Sequence, residues 1–334
     1  MHLLQKRICS VAVLFVCSCF CFGQNTSGYK LSKTFKIASG GGWDYISVND
    51  HKLYVSHATQ VNILDEATGD SLGCIHNTTG VHGIAFIPQS GKGYISCGRL
   101  NSITVFDLKT NTVTKEIPVG QNPDAIFFDP YSGKIITCNG RSNSLSIIDP
   151  VKDTVSSTIA LSGKPETAVS DEAGKIFVNI EDKNAISEID INSGKVLNTW
   201  SIAPGDGPTG LAIDIKTKRL FAGCDKLLIV LDPSSGKIVD KLPIAAGCDG
   251  IAFDNVYKYV FASCGAGILS IAAEDEKGNC KIIDTVTSKK SARTITIDPL
   301  THEVFLPAAD FGAATPGQRP PVIPGTFQIL VFSK

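Results

Sequence analysis

Seven short stretches of this chain share one shape, a polar or charged residue set directly against an apolar run. In "GVHGIAF" (80–86) the polar residue is His82, in "NPDAIFF" (122–128) Asp124, in "GPTGLAI" (207–213) Thr209 and in "GCDGIAF" (247–253) Asp249. Asp44, Glu166 and Arg293 complete the series, and successive starts lie 38 to 44 residues apart. A period of that size means one supersecondary unit used repeatedly, each too small to bury its own apolar face without its neighbours. Helical arrays and β-propellers are the two architectures with such a period.

Strand signals decide between them. Each unit opens with a strand such as "GIAF" or "AIFF", turns at "PQSGK", "DPYSGK" or "DPLTH", and returns as "KLYVS", "KGYIS", "RLFAG" or "YVFAS". A third strand ends in aspartate ("ITVFD", "LSIID", "LIVLD"), and a turn such as "PSSGK" leads to a fourth, "IVDKLPI". β-branched and aromatic residues alternate within these runs, Gly, Pro and Asp mark the turns, and no run has a helix-length amphipathic pattern. The expectation is an all-β fold, a seven-bladed β-propeller with four antiparallel strands per blade.

The count closes at the ends. The seventh unit, from Ser291, stops after its third strand "FQILVFSK", while "KLSKTFKIA" (30–38) is a strand without a unit and resembles the fourth strands "TKEIPV" and "DKLPIA". It is expected to complete blade seven and remove a free sheet edge.

The second strands "YVSH" (54–57) and "YISC" (94–97), with D-x-x-x-G turns such as "DPSSG" (232–236), resemble the YVTN-repeat propellers of exported bacterial proteins over nearly the whole chain after the leader. The resemblance implies the fold. It does not choose between the lactonases and the partner-binding scaffolds built on related propellers, because these residues build blades rather than sites.

Residues 1–23 read as a secretory signal: Lys6 and Arg7 precede the apolar run "ICSVAVLFVCSCFCF", and Gly23 offers a small residue for cleavage. Residues 24–334 then form the propeller domain, and a periplasmic or secreted protein is expected. "VCSC" ending at Cys19 is a poor lipoprotein site. No later segment is apolar enough to cross a bilayer. Lys plus Arg number 31 against 32 for Asp plus Glu, so a nucleic-acid partner is not expected. A monomer is expected. Four of the 11 cysteines lie in the leader and no CxxC pair follows, which argues against thiolate metal sites. Cys97, Cys138, Cys224 and Cys264 are read as one column, the last residue of the second strand in four blades, too far apart to pair.

In a propeller the first strand of each blade lines the central channel, so the residue opening it stands at one mouth. The inner ring is therefore Asp44, His82, Asp124, Glu166, Thr209, Asp249 and Arg293, with His82 between two acids and Arg293 between Asp249 and Asp44. Loops joining second and third strands open on the same face and bring an outer set: His57, Arg99, Asn101, Asn139, Arg141, Asn143, Glu181, Asp182, Asn184 and Asp225. The Pro/Gly-rich insertion 308–325 of blade seven emerges there as a partial lid, with Asp310 and Arg319 able to reach the ring.

With His82 neutral the inner ring carries four acids against one base, which favours a cation, an amine or a hydroxyl-rich ligand. A charge-balanced, solvated channel lining accounts for the same residues. Three readings follow, of which a structural surface protein with no ligand is the one that the ring's density of ionisable groups favours least. Of the remaining two, one is a binding or scaffold protein that takes a small molecule or a protein segment at the mouth, through the ring together with His57, Arg99, Arg141 and Asp310. The other is a metal-assisted lactonase or related hydrolase, in which Asp44, Asp124, Glu166 and Asp249 hold a divalent cation such as Ca²⁺ and His82, Asp124 and Glu166 are the catalytic candidates. "GDGPTG" (205–210) fits GxGxxG but leads into a strand, not the helix that a dinucleotide site needs. GxSxG and HExxH are absent.

Overall fold

The computed structural model describes residues 27–314, 317 and 320–334. The leader and Arg319 lie outside the described residues. Seven four-stranded antiparallel sheets follow one another around a ring. Blade one, for example, comprises Trp43–Asn49, Lys52–His57, Gln60–Asp65 and Ser71–Ile75. Blade seven joins Thr296–Ile297, Val304–Ala308 and Gln328–Ser333 to the first strand of the chain, Lys30–Lys36. That strand pairs from Lys30 opposite Ser333 to Lys36 opposite Gln328, so the expected closure is present. Its Phe35 is buried against Leu53, Leu64 and Ile329, which ties the seam between blades one and seven to the start of the chain.

The third-strand aspartates explain the turns. Asp65 Oδ1 accepts the N–H groups of Ala67 and Thr68, at 3.0 and 2.9 Å, as a short side chain can at a turn. The turn then closes with Gly69 N–H donating to the Asp65 carbonyl at 2.9 Å. Gly69 sits at φ 76°, the left-handed region that favours glycine. Asp232 and Gly236 repeat the arrangement in blade five.

The core lies in the seams between blades rather than on the axis. Second and third strands are almost wholly buried, as in "KLYVSH" and "QVNILD", whereas fourth strands such as Val113–Pro118 expose most of their residues. Each seam stacks the faces of two sheets, and each Ile, Val, Leu or Phe fully buried there contributes about 1.5–3 kcal/mol.

Two register expectations are corrected. Cys97, Cys224 and Cys264 do end second strands, but in blade three that position belongs to Asn139, and Cys138 lies one residue earlier. A one-residue offset turns the side chain to the other face of the sheet. His57 also ends a second strand, opposite Trp43, and therefore belongs to the buried column. It is 1% exposed, stacks on Phe327 at 4.0 Å, and is hydrogen-bonded through Nδ1 to Ser39 and through Nε2 to the Gly41 carbonyl. Burial lowers its pKa. His57 is a structural residue of the seam, not part of the mouth.

Candidate functional site

The inner ring owes its aim to a repeated irregularity. In blade one Trp43 pairs with His57 and Ile46 with Val55, so Asp44 and Tyr45 together face one residue, Ser56. The same two-against-one bulge holds His82 opposite Ser96, Asp124 opposite Cys138, and Glu166 opposite Asn179; a register shift also falls at Asp249. A bulge bends the strand and re-aims a side chain, here at the top of the channel. Residues facing the bulges secure them. Ser56 Oγ accepts the Asp44 N–H at 3.0 Å, and Ser96 Oγ accepts the Gly83 N–H at 2.8 Å. Asn179 Nδ2 donates to the carbonyls of Thr209 and Gly210 in the next blade, both at 3.0 Å. The penultimate serines of "YVSH" and "YISC" were the sequence signal for this.

His82 Nδ1 lies 2.6 Å from Asp44 Oδ2 and 3.7 Å from Asp124 Oδ1. Burial alone would lower the imidazole pKa, but the Asp44 hydrogen bond and the charges of Asp124, Asp44 and Glu166 outweigh it and raise the value to about 8. Asp124 is 8% exposed, and its Oδ1 is buried without a hydrogen-bond partner. Burial, then the Asp44 charge, push its carboxyl up to about 7 against the opposing pull of His82 and Lys164. Burial and the Asp124 charge raise Glu166 to about 8. Asp249 is raised by burial, with Arg293 opposing. Near neutral pH the mouth thus stores protons on carboxyl groups that a cation would displace.

The remaining charges pair locally. Arg293 Nη1 meets Asp249 Oδ2 at 2.6 Å, and its other nitrogen reaches the Trp43 carbonyl rather than the Asp44 carboxylate. Lys164 bridges Glu166, at 3.2 Å, and Glu181. Thr209 Oγ1 donates to the Cys248 carbonyl. Sequence reasoning missed Lys164, although "GKPET" places it two residues before Glu166. It also missed Tyr45, one residue deeper than Asp44, whose hydroxyl pKa is raised by burial and by the charges of Asp124, Glu166 and Asp44.

Of the proposed metal ligands, Asp44 and Asp124 come together with His82, their ligand atoms all within 4.8 Å of one another. Glu166 and Asp249 are not part of that trio. Two carboxylates and an imidazole suit a transition-metal ion better than Ca²⁺, which takes six to eight oxygens. Much of the outer set holds loops instead. Asn101 accepts the Asn122 N–H, Asn184 that of Gly207 and Asp225 that of Gly247, while Asn139 is fully buried among serines. Arg99 and Arg141 are exposed.

The described ends of the blade-seven insertion pair with each other. Phe311 bridges to Val322, with backbone bonds from Gly312 to Pro321 and from Ile323 to Asp310. Asp310 pairs with Lys289 at 2.7 Å. Beneath it lies a cavity of about 370 Å³ lined by Trp43, Arg293, Phe311, Pro320 and Val322, so an apolar slot adjoins the acidic ring. Among the described residues no helix is long and apolar enough to cross a membrane.

No family model and no curated protein matches this chain. Solved structures do match, among them a chain of Kuenenia stuttgartiensis hydrazine synthase, at 16% identity and a TM-score of 0.72 over 80% of this chain and 93% of that one. In all, 1746 solved chains match, so the architecture is shared too widely to select a function. The likeness shows the fold of this chain, a seven-bladed β-propeller.

Proposed function

We propose that this protein is an exported propeller of the YVTN-repeat kind that binds a small cationic ligand, an ammonium group or a divalent ion, at its acid-lined mouth. Asp124 carries the reading. A carboxylate oxygen buried without a hydrogen-bond partner costs free energy unless something pairs with it, and this one has only the His82 ring at 3.7 Å against the like charges of Asp44 and Asp249. The leader-like residues 1–23 support export, and the ring of bulges supports a mouth built to present side chains inward.

The test is calorimetric titration of wild type and Asp124→Asn with propylammonium, Ca²⁺, Mn²⁺ and Zn²⁺ in buffers of different ionisation heat. One class should bind wild type with proton release, and Asp124→Asn should weaken it about tenfold or more. Binding by none of the four, or equal binding by the variant, overturns the proposal.

The metal-assisted hydrolase remains the second reading because Asp44 and Asp124 bring carboxylate oxygens together within 4.8 Å beside the His82 ring. In it Asp44 and Asp124 hold the ion and His82 moves a proton. Lactone hydrolysis that requires the metal, and that His82→Ala abolishes while ion binding persists, would select it.

A further inference from the structure

Seven cysteines fall among the described residues, and two of them face each other across a strand pair. Cys248 opens the first strand of blade six and Cys264 ends the second, and the two are register partners. Gly265 N–H donates to the Gly247 carbonyl at 2.7 Å, one residue beyond the pair on each strand. That bond makes Cys248 and Cys264 a non-hydrogen-bonded antiparallel pair, the kind in which Cα atoms stand about 4.5 Å apart and side chains are closest. A separation of that size lies within the span a disulfide accepts.

The other cysteines have no such partner. Cys97 faces Val81 and Cys280 faces Glu274. At the position of the Cys248–Cys264 pair blades one to four carry Trp43 with His57, Val81 with Cys97, Pro123 with Asn139 and Pro165 with Ile180. Packing at this position therefore does not call for sulfur on both strands. The two thiols also act on each other: the Cys248 thiol holds Cys264 below its ordinary pKa, and the same contact, with burial, pushes Cys248 up.

We propose that Cys248 and Cys264 are a disulfide-forming pair, oxidised by thiol–disulfide exchange with a low-molecular-weight or protein disulfide. During folding, before the strand pair is buried, Cys264 as thiolate attacks one sulfur of the oxidant, and the other leaves as a thiolate. Cys248 as thiolate then attacks the mixed disulfide on the Cys264 sulfur and releases the second oxidant thiolate. Both cysteine protons pass to the leaving thiolates, so one oxidant disulfide becomes two thiols while one protein disulfide forms. Cys248 precedes Asp249, and Gly265, next to Cys264, packs near Arg293, so the link would hold the Asp249–Arg293 side of the mouth.

The experiment refolds the full chain in a glutathione redox buffer, blocks free thiols under denaturing conditions and maps peptides without reduction. Trypsin separates the two cysteines after Lys258, into peptides 242–258 and 259–277. The expected result is a linked pair of these peptides, with every other mature cysteine alkylated. Oxidised wild type should melt roughly 3–6 °C above its reduced form, a difference absent from the Cys248→Ala/Cys264→Ala protein. Should that double variant fail to fold, the linked peptides from wild type alone decide the question. Alkylation of both cysteines in the refolded protein, or a link joining either to a third cysteine, overturns the proposal. So does protection of the two thiols that a chelator reverses, which would mean a bound soft metal.

Discussion

Tyr45 of blade one and Thr167 of blade four meet across the central channel, hydroxyl to hydroxyl at 3.4 Å. Their blades stand three apart in a ring of seven, so the contact spans the axis just below the acidic ring. The tyrosine ring packs on the apolar seam that contains Ala125, Cys138 and Ala168. Tyr45 thus gives the mouth a floor. Tyr45→Phe should keep the packing and change stability by less than about 1 kcal/mol, since it removes one long hydrogen bond. Tyr45→Ala should cost about 2–4 kcal/mol in denaturant unfolding and weaken any mouth ligand. Unchanged stability in the alanine variant would show that Tyr45 does not close the channel.

A second outcome concerns pH. His82, Asp124 and Glu166 all have folded pKa values above their ordinary ones, about 8, 7 and 8. The folded state therefore binds more protons than the unfolded state. For His82 the added stability is complete below about 6.5 and is lost as pH rises through 8. For the two carboxyl groups the loss begins near pH 4 and continues through 7 and 8. The melting temperature should fall from pH 5 to 8.5, less steeply in Asp124→Asn/Glu166→Gln. An identical slope in the double variant would refute the assignment.

Proton storage also sets the pH dependence of binding. A cation that pairs with Asp124 must displace the proton held there, so its affinity should rise from pH 6 to 8, and Asp124→Asn should flatten the profile. Asp44→Asn should lower the His82 pKa, read by NMR titration, because it removes the negative charge from the acceptor of the 2.6 Å hydrogen bond. A His82 pKa that ignores this change would place its stabilisation elsewhere.

Closure can be tested at the chain start. Deleting residues 24–38 removes the outer strand of blade seven and exposes the edge of Gln328–Ser333. The expected effect is destabilisation of the whole domain, and Phe35→Ala alone should cost about 3 kcal/mol or more. A melting temperature unaffected by the deletion would contradict the closure.

Replacing residues 312–322 by a Gly-Ser linker should leave the propeller folded, because the seven sheets lie outside that segment. It removes Val322 and Pro320 from the slot beside Trp43 and Arg293, so ligand affinity should drop. Circular dichroism and calorimetry separate the two effects. Loss of folding would mean that Val322 is needed by the seam it touches.

The repeat made the architecture readable in the sequence alone. A period near 40 residues with strand-length apolar runs has few solutions, and the lone strand at 30–38 had one vacant partner, so blade number and closure followed from spacing. Side-chain direction did not. His57 lies in the same alignment column as Cys97 and should have been buried with it; its chemistry drew it to the mouth, while strand register placed it against Phe327. Cys138 was misplaced by one residue, the smallest slip that reverses a face. The partners of the ring were set by tertiary structure, because contacts such as Tyr45 with Thr167, Lys164 with Glu181, or Cys248 with Cys264 depend on how blades twist, bulge and face one another. A sequence records which residue occupies each repeat position, whereas distances of a few ångströms between repeats exist only once the ring has closed.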